Sequence, residues 1–206
     1  AERGRRYDKS NWKAASFAMG VNRTADFNRS YSYSGLMKGG GNDHSSFSEI
    51  FVADANSNSA NTQNAGSLGY LGYQSYLVNF DSASNSYYTL ANWQTGLNQA
   101  RNVVERGGIN ELAFSVGGNY QEHFMIGATL GVPILRYTRD AYFEESDASG
   151  NTNNDFQAFR YSENLQTNGL GINLKLGMIF KPSDYFRLGL ALHSPTWFSM
   201  NDTYNE

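Results

Sequence analysis

Several common ingredients are absent or scarce in this chain. It has no cysteine and three prolines in 206 residues. The lack of cysteine excludes a disulfide framework and thiolate chemistry; it fits passage through an oxidising compartment, although many cytosolic chains also lack it. No segment approaches the roughly 18 consecutive apolar residues of a transmembrane helix. Mean hydropathy is −0.55. Basic residues cluster only at Arg3, Arg5 and Arg6, and net charge is −3, which argues against nucleic acid as a partner. The first residues hold no apolar signal core, so any export signal is expected outside this sequence. Nothing resembles a nucleophile elbow, so no catalytic residue is assigned and no enzyme activity or cofactor is expected.

What is present is alternation. Over 170–180 the even positions are Leu170, Ile172, Leu174, Leu176, Met178 and Phe180, separated by Gly171, Asn173, Lys175, Gly177 and Ile179. Over 124–134 the even positions are Phe124, Ile126, Ala128, Leu130, Val132 and Ile134, separated by Met125, Gly127, Thr129, Gly131 and Pro133. A period of two is a β-strand with chemically different faces. A second face of glycine, asparagine and lysine suits a wet, narrow interior better than a sandwich core. The length matches the roughly 9–11 tilted residues of a membrane-spanning strand. Glycine (21), tyrosine (14) and phenylalanine (13) are abundant, as in outer-membrane barrels.

The same reading predicts a polar turn over 7–11 and a strand over 13–34, with Phe17, Met19, Val21, Phe27, Tyr31 and Tyr33 on one face. A long excursion follows over 39–108, opened by Gly39–Gly41 and rich in Gly, Asn, Ser and Ala. Within it lies an aromatic run over 68–80. Leu90, Trp93, Leu97, Ala100 and Val104 recur at spacings of three and four, predicting an amphipathic helix stopped by Gly107–Gly108. A hairpin is expected over 111–134 with its turn at 118–122, then an acidic loop over 144–155, a strand over 156–180, a turn at 181–184 and a last strand from Phe186. Short turns alternating with long loops place the 39–108 excursion outside the cell. Five or six strands are too few for a closed barrel, whose smallest members have about 8, so the chain reads as a fragment of a larger one. The fold class is therefore all-β, part of a transmembrane antiparallel barrel in one domain over 1–206.

The segments Ile109–Tyr120 (INELAFSVGGNY), Ile126–Pro133 (IGATLGVP), Gly169–Pro182 (GLGINLKLGMIFKP) and Leu188–Pro195 (LGLALHSP) resemble the FadL/TodX family of outer-membrane transport proteins, in the version common in Bacteroidota. The resemblance runs from about 12 to 204 and is best over 108–196. It implies a monomeric barrel of about 14 strands in the bacterial outer membrane, plugged by an N-terminal hatch. It also implies uptake of long-chain fatty acids or other hydrophobic small molecules through an extracellular groove and a lateral opening. The hatch with its Asn-Pro-Ala start is missing, and no family functional residue maps by motif.

Candidate sites follow from residue chemistry. Tyr70, Leu71, Tyr73, Tyr76, Leu77, Phe80, Trp93 and Leu97 form either an apolar capture groove in the outer loop or a closed cap packed on itself. Asn173, Lys175, Arg187 and His193 share the inward parity, where Lys175 and Arg187 either hold a substrate carboxylate or pair with acids of a plug. His193 has no metal-ligand spacing around it, and no metal is expected. Pro133 and Pro195 mark a kink or a bulge. Glu144, Glu145, Asp147 and Asp155 fit no calcium-loop pattern and read as a solvated tip. Besides transport, two readings stand: a scaffold barrel of an export or surface-assembly complex gripping a protein through its long loops, and a soluble secreted β-sandwich or adhesin.

Overall fold

A computed structural model describes residues 9–38, 46–151 and 153–206. The glycine run 39–41, the arginines at 3, 5 and 6 and the start of the 7–11 turn lie outside them. The strands are β1 (Trp12–Asp26), β2 (Arg29–Met37), β3 (Val78–Asp81), β4 (Ser86–Thr89), β5 (Leu97–Tyr120), β6 (Phe124–Asp147), β7 (Ala158–Ser183), β8 (Phe186–His193) and β9 (Trp197–Asn205). Two short helices, α1 (Ser48–Ser57) and α2 (Leu68–Gln74), flank a 3₁₀ turn at Ser59–Gln63. The chain is thus mostly β-sheet. Seven strands form one sheet in the order β1-β5-β6-β7-β8, with β2 also on β5 and β9 also on β7; β3 and β4 form a separate hairpin. The β1–β5, β3–β4, β7–β8 and β7–β9 pairings are antiparallel. Among the described residues this sheet is open, with β1 at one edge and β8 at the other.

Several expectations are corrected. Leu90–Val104 is not a helix: β5 already begins at Leu97. Leu97 and Val103 are fully buried at odd positions, while Ala100 and Val104 lie at even ones. The helix-like spacing was the overlay of two covered faces of a strand, where the period of two is lost. Gly107 and Gly108 sit inside β5 rather than stopping a helix, and Gly107 has φ +129°. A Cβ at Gly107 would strike the Arg136 backbone, so the close approach requires glycine. The excursion therefore spans 38–96 rather than 39–108, and its helices are α1 and α2. The first strand breaks at Phe27–Asn28, and β9 adds a piece beyond the break at 194–196 that contains Pro195, giving seven strands in the sheet instead of five or six. Pro133 lies within β6, and β6 runs to Asp147, which shortens the acidic loop to 148–157.

The contacts fall into two compact units. One comprises 1–29, 105–139 and 164–205; the other comprises 30–104 and 140–163, with Glu206. The second unit has a conventional core of Phe51, Ala55, Leu77, Val78, Ala91, Leu97 and Phe156. Phe47 stacks near Phe143 (4.6 Å between ring centroids), and Phe51 meets Tyr161 edge-on at 5.7 Å. Two glycines let α2 approach α1: a Cβ at Gly69 would lie 3.1 Å from Ala55 Cα, and one at Gly72 would lie 3.0 Å from Phe51 Cβ, as well as 2.8 Å from Val78 Cγ2 of β3. Ser67 caps α2, its hydroxyl accepting from Tyr70 N.

The start of α1 has no side-chain cap of its own. Glu145 of β6, fully buried, takes that part: its carboxylate accepts from Phe47 N at 2.7 Å, Ser46 Oγ at 2.5 Å and Gln99 Nε2 at 2.6 Å. A carboxylate at a helix N-terminus is favoured by the helix dipole, and three donors offset its desolvation. Replacing Glu145 by Ala would strand those donors, an expected loss of about 2–3 kcal/mol. Hydrogen exchange should show the α1 amides losing protection while those of β3 and β4 keep theirs; unchanged α1 protection would refute the anchor.

Candidate functional site

The first unit presents two chemically distinct faces, set by register. Between β1 and β5, Phe17 pairs with Val116, Met19 with Phe114 and Val21 with Leu112; on the other face Ser16 pairs with Gly117, Ala18 with Ser115, Gly20 with Ala113 and Asn22 with Glu111. Between β7 and β8, Leu176 pairs with Leu192, Met178 with Leu190 and Phe180 with Leu188, against Lys175 with His193, Gly177 with Ala191 and Ile179 with Gly189. Two side-chain links identify the polar faces as one. Ser115 and Thr129 hydroxyls are 2.8 Å apart, and Glu111 reaches both Asn173 and Lys175. A cavity of about 750 Å³ opens on this face, lined among others by Ser16, Ala18, Ser115, Thr129, Lys175 and His193.

The densest polar cluster on this face joins strands that are not neighbours. Glu111 of β5 is buried and accepts from Asn173 Nδ2 at 2.9 Å and from Lys175 Nζ at 2.5 Å, both on β7. Strand β6 lies between β5 and β7. The link crosses it at Gly131, where a Cβ would collide with Asn173 Oδ1 and lie 3.0 Å from Glu111 Cδ. Asn173 Nδ2 also lies 3.3 Å from Thr196 Oγ1, and its Oδ1 is buried without a hydrogen-bond partner among the described residues. The Lys175 side chain remains about one-third exposed, whereas that of Glu111 is 8 % exposed. Lys175 can therefore move toward an incoming anion more readily than Glu111 can follow it. Losing Lys175 would leave a buried carboxylate short of its cation.

The sequence-predicted inward residues are thus placed as follows. Lys175 and His193 oppose each other across one ladder, Asn173 is buried beside Glu111, and Arg187 is exposed near the β7–β8 turn. The acid that Lys175 meets, Glu111, belongs to the same sheet, two strands away on β5. Glu111 was missed as a site residue, although its odd position in the 111–117 alternation assigned it to this face. The eight aromatic and aliphatic residues of the excursion divide between interior and surface. Leu77 and Leu97 are core, Leu71 and Trp93 pack against it, Tyr70 is half-buried, and Tyr73, Tyr76 and Phe80 are exposed.

Of the four acidic residues read as a solvated tip, Glu144, Glu145 and Asp147 lie within β6, and only Asp155 is exposed in the loop beyond it. Glu144 and Glu145 point to opposite faces of β6; Glu144 accepts from Arg160 at 2.6 Å, and Arg160 also stacks over Tyr142. Hydrogen bonds from the Ser149 side chain and backbone hold the Asp147 carboxyl below its ordinary range. No group of three potential metal ligands occurs among the described residues.

The clasp over Gly131 is testable. Gly131→Ala should separate Glu111 from Asn173 and lower stability by about 1–3 kcal/mol. Gly177→Ala, where a Cβ meets open space, should leave it unchanged or slightly improved. Urea midpoints of the two variants that coincide would refute the clasp.

In comparison with known proteins, the chain matches no family model, no curated protein and no solved structure.

Proposed function

We propose that this chain is part of an outer-membrane β-barrel channel that passes hydrophobic small molecules, long-chain fatty acids among the candidates, as its resemblance to the FadL/TodX family implies. One observation carries the reading: a sheet whose apolar face is exposed and whose opposite face is glycine, small polar residues and a half-buried ion pair. Phe17, Met19 and Val21 are 67 %, 70 % and 72 % exposed, and Leu170, Leu188, Leu190 and Leu192 are each more than half exposed. In water such a continuous face is an aggregation hazard. In lipid it is the expected surface, and the open edges of β1 and β8 would be satisfied by further strands.

Dimensions and flanking residues agree. From Leu170 to Phe180 the apolar stripe rises roughly 33 Å along the strand, or about 25 Å once tilted, the height of a barrel's apolar band. Aromatic residues gather at one end of the strands: Trp12 meets Tyr120 edge-on at 5.4 Å, and Tyr185 stands fully exposed in the β7–β8 turn. Such rings suit a membrane interface. The 38–96 excursion is then extracellular, and the barrel works as a monomer with outer-membrane lipid and its hydrophobic substrate as partners, without a cofactor. The cavity on the polar face is the route, and Lys175 is its principal cation, held by Glu111 until a more competitive anion arrives.

The lipid-facing assignment predicts that Leu174→Arg weakens folding into liposomes by about 2–4 kcal/mol, while Gly177→Ser, on the opposite face, folds as the native chain does. Proteoliposomes carrying the complete barrel should then take up a fluorescent fatty acid faster than empty vesicles. Equal folding of Leu174→Arg and native chain defeats the membrane reading; normal folding without uptake defeats the transport reading alone.

A further inference from the structure

We propose that the surface formed by α2 and the β3–β4 hairpin binds a neutral glycan, with Tyr73, Tyr76 and Phe80 as its stacking residues. The inference stands on this segment alone and does not require the membrane reading.

Tyr76 is the first sign. It follows the C-cap of α2 with φ +60°, the left-handed position where glycine is preferred after a helix. The residue is 84 % exposed, and its side chain makes no hydrogen bond or ring contact among the described residues. A bulky residue is held in a strained backbone region with no return inside the fold, the pattern expected where strain serves binding.

The second sign is a rigid aromatic support beside it. Tyr87 is fixed by reciprocal bonds with the Asn56 side chain, which donates to Tyr87 O and accepts from Tyr87 N, both at 2.9 Å. Its ring meets Tyr73 edge-on at 6.0 Å and Phe80 at 5.0 Å, and those two residues are 41 % and 45 % exposed. Asn79, opposite Tyr88 on the hairpin, lies with its amide 3.5 Å from Tyr76 O. Rings held in advance of binding lose little freedom when a ligand arrives.

Charge selects the ligand class. From 46 to 100 the chain contains no Lys, Arg or His, and its acids are Glu49, Asp54 and Asp81. Two of these are consumed internally. Asp54 accepts from Asn61 and Gly69 N, and Asp81 accepts from Ala83 N and Ser84. Hydrogen bonds from Ser84 and Ala83 hold the Asp81 carboxyl below its ordinary range. A cation-free surface offers nothing to phosphate, sulfate or uronate groups. Tyrosine, asparagine and serine in this density supply large amphipathic contacts with adaptable hydrogen bonding. The C–H faces of a neutral sugar ring stack on aromatic rings, and its hydroxyls pair with amides and hydroxyls.

The experiment is an array of neutral glycans probed with the full chain in detergent micelles, as native protein and as Tyr76→Gly. A neutral glycan should be retained, and Tyr76→Gly should weaken that binding by about tenfold while its thermal midpoint stays level or rises, because glycine suits the +60° backbone. Tyr73→Ser combined with Phe80→Ser should reduce binding of the same glycan, with α1 amide protection as the control for folding. Absence of any neutral-glycan signal, binding confined to sulfated or uronate-bearing glycans, or equal binding by native chain and Tyr76→Gly each overturns the proposal. So would a purified protein partner that blocks this surface in place of a glycan.

Discussion

In an antiparallel ladder a slip of one residue exchanges the two faces of a strand. The pairing of Phe17 with Val116 and of Leu176 with Leu192 is therefore what makes one side of the first unit apolar and the other bare and polar. Everything chemical about that unit follows from it. The same registers bring Asn22 to Glu111 and Lys175 to His193, and Gly131 of β6 lies under the Glu111–Asn173 link from β5 to β7. A slipped β5 would turn Glu111 toward the apolar face and lose the ion pair together with the ladder's sidedness, so the pair also penalises the wrong register. Its net contribution to stability is modest, since Lys175 is partly solvated; its contribution to uniqueness is larger.

The alternation in 124–134 and 170–180 was legible because only one face of those strands is apolar. Where both faces are covered, the signal fails. Residues 97–104 belong to the second unit, Leu97 and Val103 are fully buried, and the resulting apolar spacing imitates a helix. The real helices were hidden for a different reason. The segment LGYLGYQ of α2 carries two glycines that local propensity counts against a helix, yet Gly69 and Gly72 are what allow α1 and α2 to touch. Helix α1 begins without a cap in its own sequence, because the capping carboxylate, Glu145, lies 98 positions away from Phe47. Long-range acceptors of this kind leave no local trace.

The site shows the same division. Asn173, Lys175 and His193 could be grouped by parity alone, since parity is a property of each strand. Glu111 could be placed on the correct face but not against its partners, because that contact depends on which strands are neighbours and on the missing side chain at Gly131. In the excursion, hydrophobicity alone could not separate Leu77 and Leu97, which are core, from Tyr76 and Phe80, which are surface. The distinction is made by the fold of α2 against the hairpin, not by residue type.

Two kinds of glycine carry the last step. Gly72, Gly107 and Gly131 are dictated from within: a Cβ at each would strike a neighbour. Gly20, Gly177 and Gly189 face open space, with nothing within 4 Å of an added Cβ. All three lie on the polar face beside Ala113, Ala191 and Ile179. Each glycine inside a strand costs about 0.5–1 kcal/mol relative to alanine, and internal packing offers no compensation at these positions. What they preserve is room and an accessible backbone on the face that carries the cavity. A wall needed only for support would be expected to fill those positions; a wall that must let another molecule lie close to its backbone would keep them empty. The bare positions Gly20, Gly177 and Gly189 thus set the polar face apart independently of the apolar one, and the last two lie on the same face as Lys175 and His193.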